Sequence, residues 1–475
     1  MIATVMNHIR TKIICTVGPA TESIASLRKL HAEGMNVVRI NMSHANHKTA
    51  QAVINKVNKI NSALSENETP IGILLDTQGP EIRTGDTEIP LDLKTGDEVT
   101  LTVRDQVDVE TSSIKINYKD LITSVTPGSK ITVDNGLINF QVLSKNKDTL
   151  LCRVLDGGKL GSKRHVNLPG VRVNLPSITS KDLEDINFGI KNKVDFIALS
   201  FVRDPDDLEK LRAILKRKSS VAKIIAKIEN QEGLDNIHEI CQASDGVMVA
   251  RGDLGIETNL ADLPNIQRRI MHACAKWGKR SIVATHLLES MITNPTPTRA
   301  EVTDVANAIY EGSDAIMLSG ETSIGKYPIE CVKFLKSIAS RAEQYKALGY
   351  EDDLQSDSDW QQLGIAAKKL AESTKADGII VITRTGYTAN VVSNAKPFRM
   401  PVFCFTNNAS TLRHLSLVGS THAYFIKSIS NHENTIKHVS KKLKNYYKDR
   451  PNLKFIMISG IFSEEHSEAI QIINL

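Results

Sequence analysis

Short apolar runs alternate with amphipathic segments from the start of the chain to about residue 84, and again from about residue 177. Runs rich in Val, Ile and Leu predict buried strands, and apolar residues three or four positions apart predict helices between them. Helices are expected at 24–33, 47–64, 205–217, 263–277 and 299–311. Strands are expected at 12–17, 36–42, 71–76, 196–202, 223–229, 246–251, 281–286 and 315–319. Eight βα units predict an α/β fold built on a (β/α)8 barrel of the TIM type.

The alternation is interrupted between residues 85 and 176, where turn signals separate short alternating runs rich in Thr, Val, Gly and Asp. This text predicts a small all-β domain, inserted after the third strand, that could cover an active site as a lid. Beyond an acidic linker at 352–359, strands at 379–383, 402–406 and 455–459 predict a C-terminal α/β domain. The predicted domains are the barrel (1–84 with 177–348), the lid (85–176) and the C-terminal domain (349–475).

The composition is that of an ordinary globular protein, with 41% hydrophobic and 24% charged residues. The net charge is only +5, from 59 basic and 54 acidic residues, and the basic residues are scattered, which argues against nucleic acid as a partner. Six cysteines lie far apart without a C-x-x-C pair, as is typical of reduced thiols. Neither an uninterrupted apolar signal region nor a run of transmembrane length is evident, so we expect a soluble cytoplasmic protein.

Polar residues collect at the carboxyl ends of the predicted barrel strands, where barrel enzymes place their ligand-binding loops. Lys227 and Glu229 stand two apart, so they share one face of the fifth strand. If Lys227 and Glu229 are considered without the other residues, the alternative interpretation is a structural ion pair at the barrel mouth. The other strands end in further polar residues, namely Arg39, Asn41, Ser43, His44, Asp76, Thr77, Arg83, Arg251, Gly252, Asp253, Thr285 and Ser319.

These residue types suit phosphoryl transfer, which needs alignment and charge neutralisation more than covalent help. Glu229 and Asp253 are two carboxylates on neighbouring strands, and Mg²⁺ prefers few carboxylates with water and substrate oxygens completing its shell. Arg39, Arg83 and Lys227 could contact phosphoryl oxygens. Asn41, Ser43, Asp76 and Thr77 offer hard oxygens with one net charge, enough for a monovalent cation, although hydrogen bonding between two loops is the alternative. The turn at 251–255 could bind a substrate carboxylate through backbone N–H groups. The alternative is a tight turn whose N–H groups are hydrogen bonded by its own side chains.

The runs RINMSH, LDTQGPEIRTG, AKIENQEG, VMVARGDLGIE, NPTPTRAEVTDVANAI and AIMLSGETSIGKYP resemble the pyruvate kinase family. The resemblance implies phosphoryl transfer from phosphoenolpyruvate to ADP, giving pyruvate and ATP in glycolysis, by a cytoplasmic homotetramer. It implies that Lys227 stabilises the migrating group, that Glu229 and Asp253 hold Mg²⁺, and that the turn from Arg251 through Gly252 to Asp253 binds the substrate carboxylate. It further implies catalytic roles for Arg39, Arg83, Thr285 and Ser319, nucleotide contacts from Arg39, Asn41, His44 and Arg164, and a K⁺ site at Asn41, Ser43, Asp76 and Thr77.

Two positions bear on the details of that resemblance. Glu81 in the GPEIR run goes with K⁺ dependence in this family, and Thr77 and Thr84 agree, whereas Gln78 is typical of the K⁺-independent class. Arg164 and His165 replace the Lys-Gly pair that the family usually has before Val-Asn-Leu-Pro-Gly. Arg164 retains the positive charge of the usual lysine, but its side chain places that charge at a different distance from the backbone.

Allosteric regulation is expected in the C-terminal domain, where a loop of hydroxyls and glycine between a strand and a helix start resembles the family's effector-phosphate site. Its residues are Thr383, Arg384, Thr385, Gly386 and Thr388. The closing loop at 460–468 carries acids where a second phosphate would need cations, so we expect a monophosphate effector. Alternative functions are a Mg²⁺-dependent lyase or aldolase acting on pyruvate enolate, including a Schiff-base enzyme, and an inactive homologue that senses metabolites.

Overall fold

The computed structural model describes residues 9–65, 68–87, 89–104, 113–134, 136–171, 173–429, 432–448, 450–459 and 469–475. Eight parallel strands form a closed barrel in the order β1-β16-β15-β14-β13-β12-β3-β2. Their bounds are Lys12–Thr16 (β1), Met35–Asn41 (β2), Gly72–Asp76 (β3), Phe196–Leu199 (β12), Lys223–Ile228 (β13), Gly246–Ala250 (β14), Arg280–Ala284 (β15) and Ala315–Leu318 (β16). The eight-stranded barrel predicted from the apolar runs is confirmed.

Helices cover the outside of the barrel and bury one apolar stripe each against its strands. They are α1 (Ile24–Glu33), α2 (His47–Ser62), α4 (Ser180–Lys191), α5 (Pro205–Arg217), α6 (Gln231–Asp235), α7 (Ile237–Ala243), α8 (Arg251–Glu257), α9 (Leu263–Lys276), α10 (Arg299–Tyr310), α11 (Gly320–Ser323) and α12 (Pro328–Ala342). Local signals fix several of these ends. In α5, Asp204 caps the first turn and Pro205 occupies the first helical position.

In the inserted region between β3 and α4, the described residues form two sheets and one short α-helix. A six-stranded sheet has the order β11-β7-β8-β9-β5-β6, and β10 pairs with β4 in a second, two-stranded sheet. The strands are β4 (Leu91–Leu93), β5 (Glu98–Thr102), β6 (Ser113–Lys115), β7 (Lys130–Val133), β8 (Ile138–Lys145), β9 (Thr149–Asp156), β10 (Gly158–Leu160) and β11 (Val166–Asn167), with α3 at Leu121–Ser124. This β-rich lid has its own buried apolar core.

The C-terminal region is a five-stranded sheet in the order β19-β18-β17-β20-β21, with β21 antiparallel to its neighbour. Its strands are β17 (Gly378–Ile382), β18 (Val402–Thr406), β19 (Thr421–Phe425), β20 (Lys454–Ser459) and β21 (Ala469–Asn474), and its helices are α13 (Asp359–Ser373), α14 (Tyr387–Asn394), α15 (Ala409–His414) and α16 (His432–Tyr446). Two of these strands, β19 and β21, were not predicted. The predicted domain limits at 84/85, 176/177 and 348/349 remain predictions.

The C-terminal region contacts the amino-terminal end of the barrel. Leu417, in a short turn after α15, belongs to the apolar cluster that fills the barrel interior. Arg413 on α15 donates to Asp195, which precedes β12, at 2.7 Å. The opposite, carboxyl-terminal end of the barrel therefore remains for the lid and for chemistry.

Candidate active site

Lys227 lies at the centre of a buried charged cluster at the carboxyl end of the barrel. Its ammonium Nζ lies 2.9 Å from Glu229 Oε1 and 3.0 Å from Asp76 Oδ1, and it donates to Ser200 Oγ at 2.7 Å. Asp76 Oδ2 in turn accepts a hydrogen bond from Arg39 Nε at 2.7 Å. Strand alternation puts Lys227 and Glu229 on the same face, and only 8% and 1% of their surfaces are exposed.

The pKa shifts in this cluster combine the effect of burial with the charges of neighbouring groups. Burial alone would lower the pKa of Lys227, but Asp76 and Glu229 outweigh burial and raise it well above its ordinary value. Burial raises the pKa of Glu229 to about 7, with Lys227 opposing and Asp253 adding to the rise. Burial likewise raises the pKa of Asp253. Three carboxylates (Asp76, Glu229, Asp253) face two cations (Lys227, Arg39), so a further cation is needed to neutralise the site.

Asp253 reaches the site from the first turn of α8, directly after β14. The neighbouring amide of Gly252 donates to Thr285 Oγ1 at 2.8 Å. The Arg251 guanidinium turns away from the barrel axis, because it donates to Thr285 O at 2.6 Å and to Asp304 Oδ1 at 2.7 Å. Any contact of Arg251 with a ligand at this turn would therefore come from its backbone.

Backbone conformations at two strand ends are unusual for residues other than glycine. After β15, Thr285 and His286 have φ values of 68° and 53°, and after β12, Phe201 has φ 53°. The Phe201 conformation directs its amide to Glu229 Oε2 at 2.6 Å. Strained backbone of this kind concentrates at functional sites, where surrounding structure holds it in place.

The four residues predicted to bind a monovalent cation lie at the carboxyl ends of β2 and β3, where Asn41 and Asp76 end the strands and Ser43 and Thr77 follow them. Asn41 Oδ1 accepts from the Ser43 amide at 3.1 Å, and Thr77 Oγ1 accepts from the Ser200 amide at 3.1 Å. Asp76 Oδ1 is buried and accepts no hydrogen bond, although Lys227 lies at ion-pairing distance. A set of neutral oxygens and one carboxylate with spare acceptor capacity fits a monovalent cation.

A cavity of about 600 Å³ opens beside the charged cluster. Arg39, Asn41 and His44 line it together with Ser319, so three predicted nucleotide contacts share one space. The Ser319 hydroxyl is buried without a hydrogen-bond partner, and its amide donates to Glu321 Oε2 at 2.8 Å. Such an unpaired buried hydroxyl is free to bond a ligand or water.

The remaining predicted residues, Arg83 and Arg164, belong to the lid side and do not line this cavity. Arg83 pairs with Glu81 Oε2 at 2.6 Å and donates to Lys163 O at 2.8 Å. Arg164 pairs with Asp134 within the lid at 3.3 Å. Both guanidinium groups are therefore engaged by protein in this conformation of the lid.

The predicted effector loop connects β17 to α14. Gly386 has φ 86°, and its amide donates to Thr383 Oγ1 at 3.0 Å. Thr411 Oγ1 fixes the loop from the neighbouring helix by donating to Arg384 O at 2.8 Å. Thr385 is exposed, and Thr388 lies in the first turn of α14. The loop thus presents backbone and hydroxyl groups at a helix start, while the acidic loop at 460–468 lies outside the described residues.

Sequence reasoning missed three residues that complete the site. Ser200 and Phe201 contact Lys227 and Glu229 from the neighbouring strand end, and the run Leu199-Ser200-Phe201 carries no signal that distinguishes it from an ordinary strand. Glu257, at the end of α8, accepts from the lid residue Asn167 at 2.7 Å. This contact links the lid to the helix that carries Asp253.

Comparisons with known proteins agree over most of the chain. A family model described as the pyruvate kinase barrel domain matches residues 8–332, and one described as the pyruvate kinase alpha/beta domain matches residues 361–473. The chain is 42% identical over 419 residues to plastidial pyruvate kinase 2 of Arabidopsis thaliana, covering 86% of this chain and 70% of that relative. It is 42% identical over 443 residues to a pyruvate kinase of Bacillus licheniformis, covering 92% of this chain and 74% of that relative.

Among solved structures, a pyruvate kinase from Cryptosporidium parvum superposes with a TM-score of 0.93 at 34% identity. The superposition covers 98% of this chain and 96% of that protein. Within the described part of the chain, no helix combines the length and apolar character needed to cross a membrane. Matched by both family models and by named pyruvate kinases across most of its length, the chain belongs to the pyruvate kinase family of phosphotransferases.

Proposed function

We propose that the protein transfers the phosphoryl group of phosphoenolpyruvate to ADP, giving pyruvate and ATP. The observation that carries this proposal is the buried Lys227 ammonium held between Asp76 and Glu229, beside a cavity lined by Arg39. The phosphorus–oxygen bond to the enolate breaks, a bond to the terminal ADP oxygen forms, and the enolate carbon then takes a proton. Charge neutralisation is the main requirement of the transfer step.

Lys227 supplies a fixed positive charge next to the migrating group. Its raised pKa keeps the ammonium protonated throughout, so it stabilises charge and does not act as a base. Arg39 is oriented by Asp76 and by Thr16, whose hydroxyl accepts from Nη1 at 3.0 Å, and it contacts phosphate from the cavity side. Arg83 would approach the phosphoryl oxygens from the side of the lid.

Glu229 and Asp253 would hold Mg²⁺, and Asn41, Ser43, Asp76 and Thr77 would hold K⁺. The fit of Mg²⁺ is supported by the excess of carboxylates and by the raised pKa values of both acids. Bound cations of this kind neutralise phosphate oxygens and orient the substrates. The donor set for K⁺ is supported by the open acceptor of Asp76 Oδ1.

The start of α8 would receive the substrate carboxylate through the backbone of Arg251, Gly252 and Asp253. Thr285, whose hydroxyl accepts a hydrogen bond from the Gly252 amide, would then lie near the enolate carbon that accepts the proton. Ser319 would assist that proton transfer from a greater distance, through its unpaired buried hydroxyl.

ADP would occupy the cavity of about 600 Å³. Arg39, Asn41 and His44 would contact it from the barrel, and Arg164 would approach from the lid after leaving Asp134. The apolar wall of the cavity, which includes Pro19, Ala52 and Val53, suits the face of a nucleotide base.

We further propose allosteric activation by a monophosphate, either a sugar phosphate or a nucleotide monophosphate, at Thr383, Arg384, Thr385, Gly386 and Thr388. The Thr383–Gly386 turn at the start of α14 supports one phosphate cradle. A cytoplasmic homotetramer is proposed as well. The edge position of β21 and its 51% exposed Ile472 support association through the C-terminal sheet.

The reaction is tested with purified full-length protein, by ³¹P NMR and by a coupled assay for pyruvate. ATP and pyruvate should appear only when phosphoenolpyruvate, ADP and Mg²⁺ are all present, and replacement of K⁺ by tetramethylammonium should slow their formation. Pyruvate release without ADP, or condensation of pyruvate with an aldehyde, would show a lyase or aldolase instead. Strong activation by a sugar bisphosphate alone would contradict the monophosphate proposal, and a monomer in light scattering would contradict the tetramer.

A further inference from the structure

Helix α4 follows the lid directly in sequence and carries two buried aspartates in its first two turns. Asp182 is fully buried, and only 3% of Asp185 is exposed. Buried carboxylates need partners that compensate for their lost hydration. Through Gly79 and through Lys181 with His47, Asp182 and Asp185 are connected to the loops after β3 and β2, which contain two of the proposed K⁺ ligands, Thr77 and Ser43.

Asp182 holds the loop after β3. Its Oδ2 caps α4 by accepting from the amide and hydroxyl of Thr179, at 2.9 and 2.7 Å, and its Oδ1 accepts from the Gly79 amide at 3.0 Å. Gly79 has φ 77° and packs so tightly that an added Cβ would lie 2.7 Å from Ser200 Cβ. Asp182 thereby fixes the loop that contains Thr77 against the strand end that contacts Lys227.

Asp185 holds the loop after β2. Its Oδ1 is hydrogen bonded to His47 Nε2 at 2.7 Å, and its Oδ2 accepts from Lys181 Nζ at 2.8 Å. Lys181 also donates to Met42 O at 2.8 Å, between Asn41 and Ser43. The His47 ring stacks on Phe188 of the same helix, with ring centroids 4.5 Å apart. The loop is therefore attached to α4 at both of its ends.

Asn41 and Asp76 face each other as paired residues of β2 and β3, whereas the positions of Ser43 and Thr77 depend on the two loops that follow these strands. We propose that Asp182 and Asp185 are positioning residues for the monovalent-cation site, acting through Gly79 and through Lys181 with His47. This inference rests on the proposed function, because it assigns a role relative to the proposed K⁺ ligands. Neither aspartate is one of the proposed ligands, and each holds a residue within two positions of Thr77 or Ser43 in sequence, Gly79 directly and Met42 through Lys181.

The test compares Asp182→Asn and Asp185→Asn with Asp207→Asn in the full-length enzyme. Asp207 is a matched control, since it is a buried aspartate in the first turn of the next barrel helix, α5, with ion pairs to Arg203 and Lys210. Among the described residues, the ion pairs and hydrogen bonds of the Asp207 carboxylate lead to neither cation loop. Binding of Tl⁺, a K⁺ analogue, is measured by ²⁰⁵Tl NMR without substrates, and half-saturation by K⁺ is measured in the coupled assay.

Asp182→Asn and Asp185→Asn should each weaken Tl⁺ binding and raise the K⁺ half-saturation by roughly 10–100-fold, with kcat recovered at saturating K⁺. Asp207→Asn should leave both quantities unchanged. Unchanged Tl⁺ binding in the first two variants, or equal weakening in the control, would overturn the inference. If the aspartate variants do not fold, Lys181→Met, which removes the half-exposed donor to Met42 O, should show the same direction of change.

Failure of the inference and failure of the proposed function give different results. Wild-type enzyme that makes ATP and pyruvate but binds no Tl⁺ and ignores K⁺ would overturn the positioning role and leave phosphoryl transfer intact. Wild-type protein that binds Tl⁺ without any turnover would contradict the proposed reaction. In that case the Tl⁺ affinities of the four variants alone decide the role of α4.

Discussion

The carboxyl and amino ends of the barrel each bury a lysine, Lys227 and Lys12, with 8% and 7% of their surfaces exposed. Lys227 sits among carboxylates that raise its pKa, whereas Lys12 donates only to the backbone carbonyl of Thr421, and burial lowers its pKa to about 8. Equal burial thus has opposite consequences at the two ends. The difference lies in the partners that the surrounding strands supply.

The acids differ in the same way. At the amino end, burial would raise the pKa of Asp314, but Arg280 and Lys396, at 3.2 and 2.7 Å, outweigh burial and lower it. At the carboxyl end, burial raises the pKa of Glu229 to about 7, because Lys227 only partly opposes it and Asp253 adds to the rise. A buried acid whose charge is neutralised by cationic side chains stabilises the fold. A buried acid whose charge is not fully neutralised in this way is suited to binding an added cation. Leu417 also closes the amino end, because it belongs to the apolar cluster that fills the barrel interior there.

Substitution of Asp314 should have the largest effect on stability. Asp314→Ala leaves the buried Arg280 and the half-buried Lys396 without their carboxylate, so we expect a loss of about 3–5 kcal/mol in the free energy of unfolding, measured by urea denaturation. Affinity for Mn²⁺ should not change. Asp148→Ala, which breaks the exposed pair with Arg104, is the control and should cost at most about 1 kcal/mol. Equal losses in the two variants would contradict the contrast between the barrel ends.

Substitution of Lys227 should have the largest effect on chemistry. Lys227→Met removes the positive charge beside the proposed position of the migrating phosphoryl group, and we expect kcat to fall by roughly 10²–10³-fold, with binding of phosphoenolpyruvate largely retained. Steady-state assays and calorimetric titration measure the two effects. Lys12→Met, the buried lysine at the other end, should leave kcat unchanged. Unchanged turnover in the Lys227 variant would refute its role.

Glu229→Gln should separate metal binding from stability. The variant loses a carboxylate that shares the Lys227 ammonium with Asp76, so we expect Mn²⁺ affinity to fall by at least roughly 10–100-fold, measured by electron paramagnetic resonance. Stability of the metal-free protein should change little, in contrast to the Asp314 variant. A large loss of stability with normal Mn²⁺ affinity would place Glu229 with the structural acids.

The periodic elements of the fold were predictable because local signals determine them. Helix α1 begins and ends where predicted, since Ser23 caps its start and Gly34, with φ 127°, ends it. The fourth barrel strand was predicted at 196–202 but ends at Leu199, because Phe201 adopts positive φ to reach Glu229. Strand β21 was missed because its pairing with β20 is a tertiary contact that the apolar pattern of 469–474 does not reveal.

The sequence predicted which residues lie in the candidate site where their positions on the strands determine this. It did not predict the orientations of their side chains where these depend on tertiary contacts. Alternation placed Lys227 beside Glu229, and the barrel order brought Asp76 and Arg39 to the same end. The Arg251 guanidinium is oriented toward Asp304, which lies in α10, two helices further along the chain than α8. No local sequence pattern predicts this contact. The predicted substrate role of Arg251 is thereby left to its backbone, and it stays a prediction.

The two ends should also respond to pH in different ranges. Without metal, the native protein keeps a proton on Glu229 up to about pH 7, whereas the unfolded chain releases it near the ordinary value of 4.5. Its contribution to stability is therefore full below 4.5 and is lost as pH rises toward 7. Asp314 has a lowered pKa, so its contribution is present above the ordinary value of 3.8 and is lost as pH falls further.

Melting temperatures in EDTA between about pH 5 and about pH 8 measure the first effect. The wild-type protein should lose stability across this range more steeply than Glu229→Gln, and saturating Mg²⁺ should reduce the difference in slope. Identical slopes for the two proteins without metal would show that Glu229 is already ionised at pH 5. The contrast with Asp314 would then be wrong.

The smallest expected effect concerns the contact between the lid and the carboxyl end of the barrel. Asn167→Ala removes the hydrogen bond to Glu257 Oε1, and such a bond contributes about 1 kcal/mol. Because the bond joins the lid to the helix that carries Asp253, we expect KM for ADP to rise about fivefold, with the melting temperature unchanged. Asn139→Ala, which breaks a bond to Asp156 within the lid, is the control and should leave KM unchanged. An equal rise in KM for both variants would attribute the effect to the lid's own stability, and the contact between Asn167 and Glu257 would then have no part in closing the site.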